Sequence, residues 1–265
     1  MTQHPDAILQ QDDNGGVRRI TLNRPDKRNA FDATVIAALT DAFTEAENDS
    51  AVRVIILAAA GKHFCAGADL EWMRATAAMS ESQNREDARR LATLLRTLDN
   101  MDKPVIARVQ GAAFGGALGL VCCADIAVAA SDTRFCLSEV RLGLVPATIG
   151  PYVVRAMGHR QARRYMLTAE TMAADTARDL GIVHQVVASE FLDEALERVL
   201  AALLQGGPDA QSRCKNLLRR LEEPGATEDV DEYTARLIAA VRTGAEGQEG
   251  LRAFIEKDTP EWRSE

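Results

Sequence analysis

Apolar positions along this chain follow two rhythms, and these alternate through its first half. Val17–Leu22 is a short run bounded by the turn-forming Arg24-Pro25-Asp26, and it predicts a strand. Asp32 stands where an N-cap is needed, and Ile36, Leu39 and Phe43 mark one face of the helix after it. Residues 53–59 (RVIILAA) are almost continuously apolar, as expected of a strand buried on both faces. Residues 61–69 read as a loop leading into a helix. Leu91, Leu94, Leu95 and Leu98 form the stripe of a second amphipathic helix, which must stop before Pro104. Val105–Val109 reads as strand, residues 111–123 as loop and then buried helix, and residues 125–130 as strand again.

The rhythm changes after about Gly150. Residues 151–157, 160–167, 175–180 and 189–204 read as helices, interrupted by one short strand at 182–187. The remaining residues read as helix, jointed at Gly206-Gly207-Pro208 and at Pro224-Gly225. Strands separated by helices predict an α/β fold with a largely parallel core, followed by a helical C-terminal region.

Composition narrows the class of function. Of 265 residues, 46% are hydrophobic and 26% charged, which suits a globular chain and not a disordered one. No apolar run approaches the roughly 20 residues that span a bilayer, so no membrane association is expected. The first eleven residues lack a basic-then-apolar pattern, so no signal peptide is expected and a cytoplasmic location follows. A net charge of -8 argues against nucleic acid as a partner, although a few local cations can still hold one anionic ligand. Cys65, Cys122, Cys123, Cys136 and Cys214 form no CxxC pair and read as reduced thiols. His4, His63, His159 and His184 show no metal-ligand spacing, so no metal is expected.

Three segments could carry chemistry. The small residues of His63-Phe64-Cys65-Ala66-Gly67-Ala68-Asp69-Leu70 allow a ligand close to the backbone, and Asp69 could equally serve as a plain N-cap. In Gln110-Gly111-Ala112-Ala113-Phe114-Gly115-Gly116-Ala117-Leu118-Gly119, paired glycines at a helix start would expose N–H groups to a phosphate or an oxyanion. Neither GxGxxG nor a Gly-Lys-Ser/Thr ending is present, and a tightly packed helix would use the same small residues. In the segment 135–146 (FCLSEVRLGLVP), Glu139 is flanked by apolar residues. Burial there would raise its pKa and fit it for proton transfer, unless it pairs with Arg141. Ser138 is not in a GxSxG elbow.

Taken together, these segments resemble the crotonase (enoyl-CoA hydratase/isomerase) family. The resemblance covers nearly the whole chain, including Asn23-Arg24-Pro25-Asp26-Lys27-Arg28-Asn29-Ala30 and Ala253-Phe254-Ile255-Glu256-Lys257. It implies a ββα spiral core over residues 1–200 and a helical trimerisation region over 201–265, assembled as a homotrimer or homohexamer. It implies an acyl-CoA thioester substrate and no separate cofactor, since coenzyme A is part of the substrate. By position, Ala66 and Gly116 would supply the oxyanion-hole N–H groups. Lys27, Arg28 and Ala30 would lie beside the pantetheine and phosphates, and Ala68, Asp69 and Leu70 around the adenine. Phe254 and Lys257 would reach coenzyme A, commonly across a subunit contact.

The sequence departs from the family pattern in two places. Hydratases of the family place two glutamates around a water; the second matches Glu139, but the first falls at Gly119. The glycine run after Pro146 is replaced by Ala147-Thr148-Ile149. The wording FGGALGL and CLSEVRLGLVPA resembles hydratases of branched, carboxylated enoyl-CoAs, of the methylglutaconyl-CoA and carboxygeranoyl-CoA type, which links the chain to leucine or terpene breakdown. On that reading Gly119 leaves room for a distal substrate carboxylate; contact with it stays open for Arg141 and Arg155, each of which reads first as a surface or structural cation. A one-glutamate site is equally compatible with a delta-3,delta-2-enoyl-CoA isomerase, and a catalytically silent acyl-CoA-binding protein is a further alternative. Asp125 reads as the start of a buried strand.

Overall fold

The computed structural model describes residues 7–13, 15–222 and 229–263. The chain opens with β1 (Ile8–Asp12), β2 (Val17–Leu22), α1 (Ala33–Asn48) and β3 (Val54–Ala59). There follow α2 (Leu70–Ala77), α3 (Glu81–Asp99), β4 (Val105–Val109), β5 (Ala112–Phe114), α4 (Gly116–Cys123), β6 (Ile126–Ala130) and β7 (Arg134–Cys136). The second half contains α5 (Gly150–Thr168), β8 (Met172–Ala173), α6 (Ala174–Asp179), β9 (Gln185–Val187), α7 (Leu192–Leu204), α8 (Pro208–Glu222), α9 (Val230–Thr243) and α10 (Ala245–Glu256). The expected joint at Pro224-Gly225 lies outside the described residues.

The main sheet runs β1-β2-β3-β4-β6-β9, antiparallel at β1–β2 and parallel thereafter. Side chains alternate between its two faces. Ile55 and Leu57 of β3 meet Leu39 and Phe43 of α1 and Leu94, Leu95 and Leu98 of α3. Val54 and Ile56 point the other way, into a cluster with Leu192, Leu196 and Leu200 of α7. Both faces are covered, which is why β3 reads as an unbroken apolar run. A second sheet, β5-β7-β8, stands beside the first.

Local signals place the elements. Asp32 caps α1, accepting the Val35 N–H at 2.9 Å. Ser80 and Gln83 form a capping box that starts α3 ten residues ahead of its leucine stripe. Gly158, at φ 74°, breaks the span of α5 into the two helical pieces expected from the sequence. Only Gln185–Val187 of the expected strand 182–187 forms a ladder, because Ile182 and Val183 turn into the core. The expected boundary at residue 200 falls inside α7. The chain then leaves the core, anchored where Arg53 donates to the carbonyls of Leu204, Gly206 and Trp262 and where Lys215 of α8 meets Asp125 at 2.6 Å.

Candidate active site

Loops at the carboxyl ends of β3 and β4 converge with the turn after β2, the end of a parallel sheet where ligands usually bind. Backbone hydrogen bonds fasten the three segments together. Phe31 bridges to Ala68 and Cys65 to Ala113. The Phe31 N–H donates to Gly67 O at 2.8 Å, the Asp69 N–H to Phe31 O at 2.7 Å and the Phe114 N–H to Cys65 O at 3.0 Å. Buried Asn29 donates to the carbonyls of Ala60 and His63 at 2.9 and 2.8 Å. Arg24, also buried, donates to Asp32 at 2.7 Å, to Asp69 at 3.1 Å and to Ala30 O at 3.0 Å.

This frame decides which amides are open. The Ala66 N–H is committed to Arg28 O at 3.0 Å, so Ala66 does not offer the expected donor in this conformation. Gly67 O and Asp69 N both face Phe31, so the intervening Ala68 N–H points the other way, and among the described residues it meets no acceptor. Gly116 opens α4, where the first N–H groups have no partner inside the helix. Gly115, at φ 56°, provides no side-chain cap. The Gly116 Cα lies against the Phe31 ring, which a Cβ there would meet at 3.2 Å. Because Phe31 also pairs with Ala68, the two open amides flank one aromatic side chain.

Glu139 opens a 3-10 turn, Glu139–Leu142, directly after the second sheet. Its Oε1 lies 3.3 Å from the place a Cβ on Gly115 would take, so the left-handed glycine lets the carboxylate reach the start of α4. Its Oε2 is buried and without a hydrogen-bond partner. Burial holds its pKa above the ordinary carboxylate value. The alternative pairing with Arg141 does not occur: Arg141 Nη2 donates to Ala169 O at 2.7 Å.

One further expectation is corrected, and two charged side chains take the structural roles read for them. Gly119 leaves no room, since a Cβ there would stand 2.5 Å from Ile149 Cγ2 and 3.1 Å from Leu95 Cδ2. Arg155 is held by Asp99, with Glu222 at 3.6 Å, and is not offered to a ligand. Asp125 lies just before β6 and accepts from Lys215 at 2.6 Å and from the Val105 N–H at 2.7 Å, a structural role.

Beside the open Ala68 amide is a cavity of about 570 Å³, whose lining does not include Gly116 or Glu139. It brings together Lys27, Arg28, Ala30, Ala66, Ala68, Asp69 and Leu70, all singled out from the sequence. Asp26, Glu71 and Arg74 also line it. Arg74 was legible in principle, being four residues after Leu70 on α2 and so on the same face. Lys27 leans on Asp69 and Glu71 at 3.5 and 3.4 Å, whereas Arg28 and Arg74 form no ion pair among the described residues. Asp69 caps α2, accepting the Glu71 N–H at 2.9 Å, and is buried. Phe254, 84% exposed, and Lys257 lie at the end of α10 and do not line this cavity. Among the described residues no cluster of His, Cys, Asp and Glu could hold a metal, and no helix is long and apolar enough to cross a membrane.

Known proteins resemble this chain over nearly its whole length. An enoyl-CoA hydratase from Shewanella pealeana superimposes with a TM-score of 0.93 at 47% identity, covering 97% of this chain and 96% of that one. The enoyl-CoA hydratase ACTT6 of Alternaria alternata is 37% identical over 93% of this chain and 80% of its own length. The mevalonyl-coenzyme A hydratase sidH of Aspergillus fumigatus is 33% identical over 92% of this chain and 90% of its own. The family profile described as enoyl-CoA hydratase/isomerase matches residues 12–265. This chain, with its α/β core and helical C-terminal region, belongs to the enoyl-CoA hydratase/isomerase family.

Proposed function

We propose that this chain is an enoyl-CoA hydratase, a hydro-lyase that adds water across the α,β double bond of an enoyl-CoA thioester. The observation that carries the reading is Glu139: a carboxylate with one buried, unpartnered oxygen, set against the glycine turn that opens α4. The thioester oxygen would lie between the N–H groups of Ala68 and Gly116, with Ala68 replacing Ala66 as donor for the reason given above. These amides are fixed before substrate arrives, and each such donor is worth about 3 kcal/mol to a developing enolate. Water oxygen bonds to the β-carbon while Glu139 accepts its proton, and Glu139 then returns a proton to the α-carbon. Nothing is oxidised, and coenzyme A enters only as part of the substrate.

Lys27, Arg28, Ala30, Asp69 and Leu70 form the wall along which coenzyme A would run. Of the cations there, Arg28 and Arg74 are the ones available to phosphates. For the acyl group we favour a branched or carboxylated chain of the methylglutaconyl-CoA kind. The support is the sequence around Gly119 and Glu139 and the likeness to a mevalonyl-CoA hydratase. Any distal carboxylate must be met elsewhere than at Gly119.

One observation favours a second reading. The first carboxylate's place is filled by apolar side chains, as would suit a delta-3,delta-2-enoyl-CoA isomerase with a single base. Turnover in 18O-labelled water, on a panel of enoyl-CoAs with and without a distal carboxylate, separates the two. Hydration incorporates the label into a 3-hydroxyacyl product and is fastest on the carboxylated members; label-free double-bond migration would establish the isomerase. Glu139→Gln should lower kcat by about 10³-fold or more while acyl-CoA still binds; retained turnover removes Glu139 from the mechanism.

A further inference from the structure

Residues 116 and 119 lie one turn apart on the same face of α4. That face runs along an apolar strip. A Cβ placed at 116 would meet the Phe31 ring at 3.2 Å and Leu91 at 3.9 Å, and one at 119 would meet Ile149 and Leu95. Ile149 is 1% exposed and Leu95 fully buried. Ile149 is also fixed in place. It precedes the first residue of α5, its carbonyl accepts the Val153 N–H at 3.1 Å, and a β-branched side chain has little rotamer freedom.

We propose that Ile149 is a specificity-determining residue, size-matched to Gly119, that excludes a second acid and its water from the acyl site. The proposal rests on the acyl-thioester reading above. A Cβ at 119 would sit 2.5 Å from an Ile149 methyl, so this backbone tolerates no side chain there while Ile149 remains. A water at that point would find methyl groups where it needs polar partners. The enzyme is thereby confined to whatever Glu139 alone can do. Removing the Ile149 side chain opens the space in which Gly119→Glu can face Glu139. A pair of carboxylates could then hold a water over a plain crotonyl thioester, its oxygen going to the β-carbon and a proton to the α-carbon.

Two experiments test this, and the first does not depend on activity. Thermal unfolding of Gly119→Ala, Ile149→Ala and the double variant should be non-additive. Gly119→Ala should lower Tm by about 5 °C or more, and the double variant should be clearly more stable than the two single losses predict. Additive losses, or an unperturbed Gly119→Ala, overturn the matched pair. In the second, Gly119→Glu/Ile149→Gly should hydrate crotonyl-CoA at least about tenfold faster than the parent, with no gain in Ile149→Gly alone. A folded double variant without that gain overturns the exclusion of the second acid. If the hydratase reading itself is wrong, the parent will hydrate no member of the enoyl-CoA panel, whereas the alanine cycle will still report the packing.

Discussion

Glu139 keeps one carboxylate oxygen buried without a donor, so the folded protein bears a cost whenever this group is charged. Its pKa is raised by burial above the 4.5 at which the unfolded chain titrates. Between those two values the native state holds a proton that the unfolded chain has lost. The group's stabilising contribution is therefore complete below pH 4.5 and is lost as pH rises through the folded-state pKa. Glu139→Gln keeps the shape and cannot ionise. At pH 7 it should melt about 2–4 °C above the parent, for about 1 kcal/mol recovered. Calorimetry across pH checks this: the advantage should shrink to nothing as the solution is acidified to pH 4.5. A constant difference would mean that burial of the charge is not its cause. The special setting of Glu139 was legible in the sequence because its neighbours in the chain are apolar. The filling of Gly119 was not, since Ile149 arrives thirty residues later and only packing brings it there.

Among the elements, the start of α4 supplies one open amide and the turn after β2 holds the other in place. Proline is at home at the first position of a helix and lacks an N–H, so Gly116→Pro removes the donor with little harm to α4. The ring need only ease past Phe31. We expect kcat to fall about 10²–10³-fold, while the Kd of a saturated acyl-CoA, measured by calorimetry, stays within a few fold. Arg24 acts at a distance from the chemistry. It ties the turn to Asp69, the cap of α2 that follows Ala68 directly in sequence. Arg24→Met would leave buried Asp69 with the Glu71 N–H and, as its one cation among the described residues, Lys27 at 3.5 Å. Breaking such a pair should cost about 3 kcal/mol in denaturant unfolding and should weaken acyl-CoA binding as well. An unchanged melting midpoint would contradict this. Elements with a clear period were legible: the α1 stripe, the β3 run and the β4 strand. The strands β7 and β8, at three and two residues, are too short to show any period, and β1 is mostly polar because its side chains face solvent. The first half of α3 is polar but for Ala88, and only its capping box could have announced it.

At the scale of the whole molecule, the C-terminal helices leave large apolar side chains in water. Leu218 and Leu221 of α8, Ile238 of α9, and Leu251, Phe254 and Ile255 of α10 are all exposed, the last two by 84% and 75%. Scattered exposed leucines are ordinary, but a run of them on three consecutive helices asks for a partner. We propose that the partner is a second copy of the chain, and that the α10 end, with Phe254 and Lys257, closes over a neighbour's coenzyme A. This would also explain why these two residues lie away from the cavity within one chain. Sedimentation should then give a native mass of three or six times 28.7 kDa. Phe254→Asp/Ile255→Asp should lower that mass and raise KM for acyl-CoA together, because one surface serves both purposes. The hydration step should suffer less, since Glu139, Ala68 and Gly116 all belong to the core of a single chain. A variant that stays fully assembled with an unchanged KM would show that the exposed end of α10 has neither role.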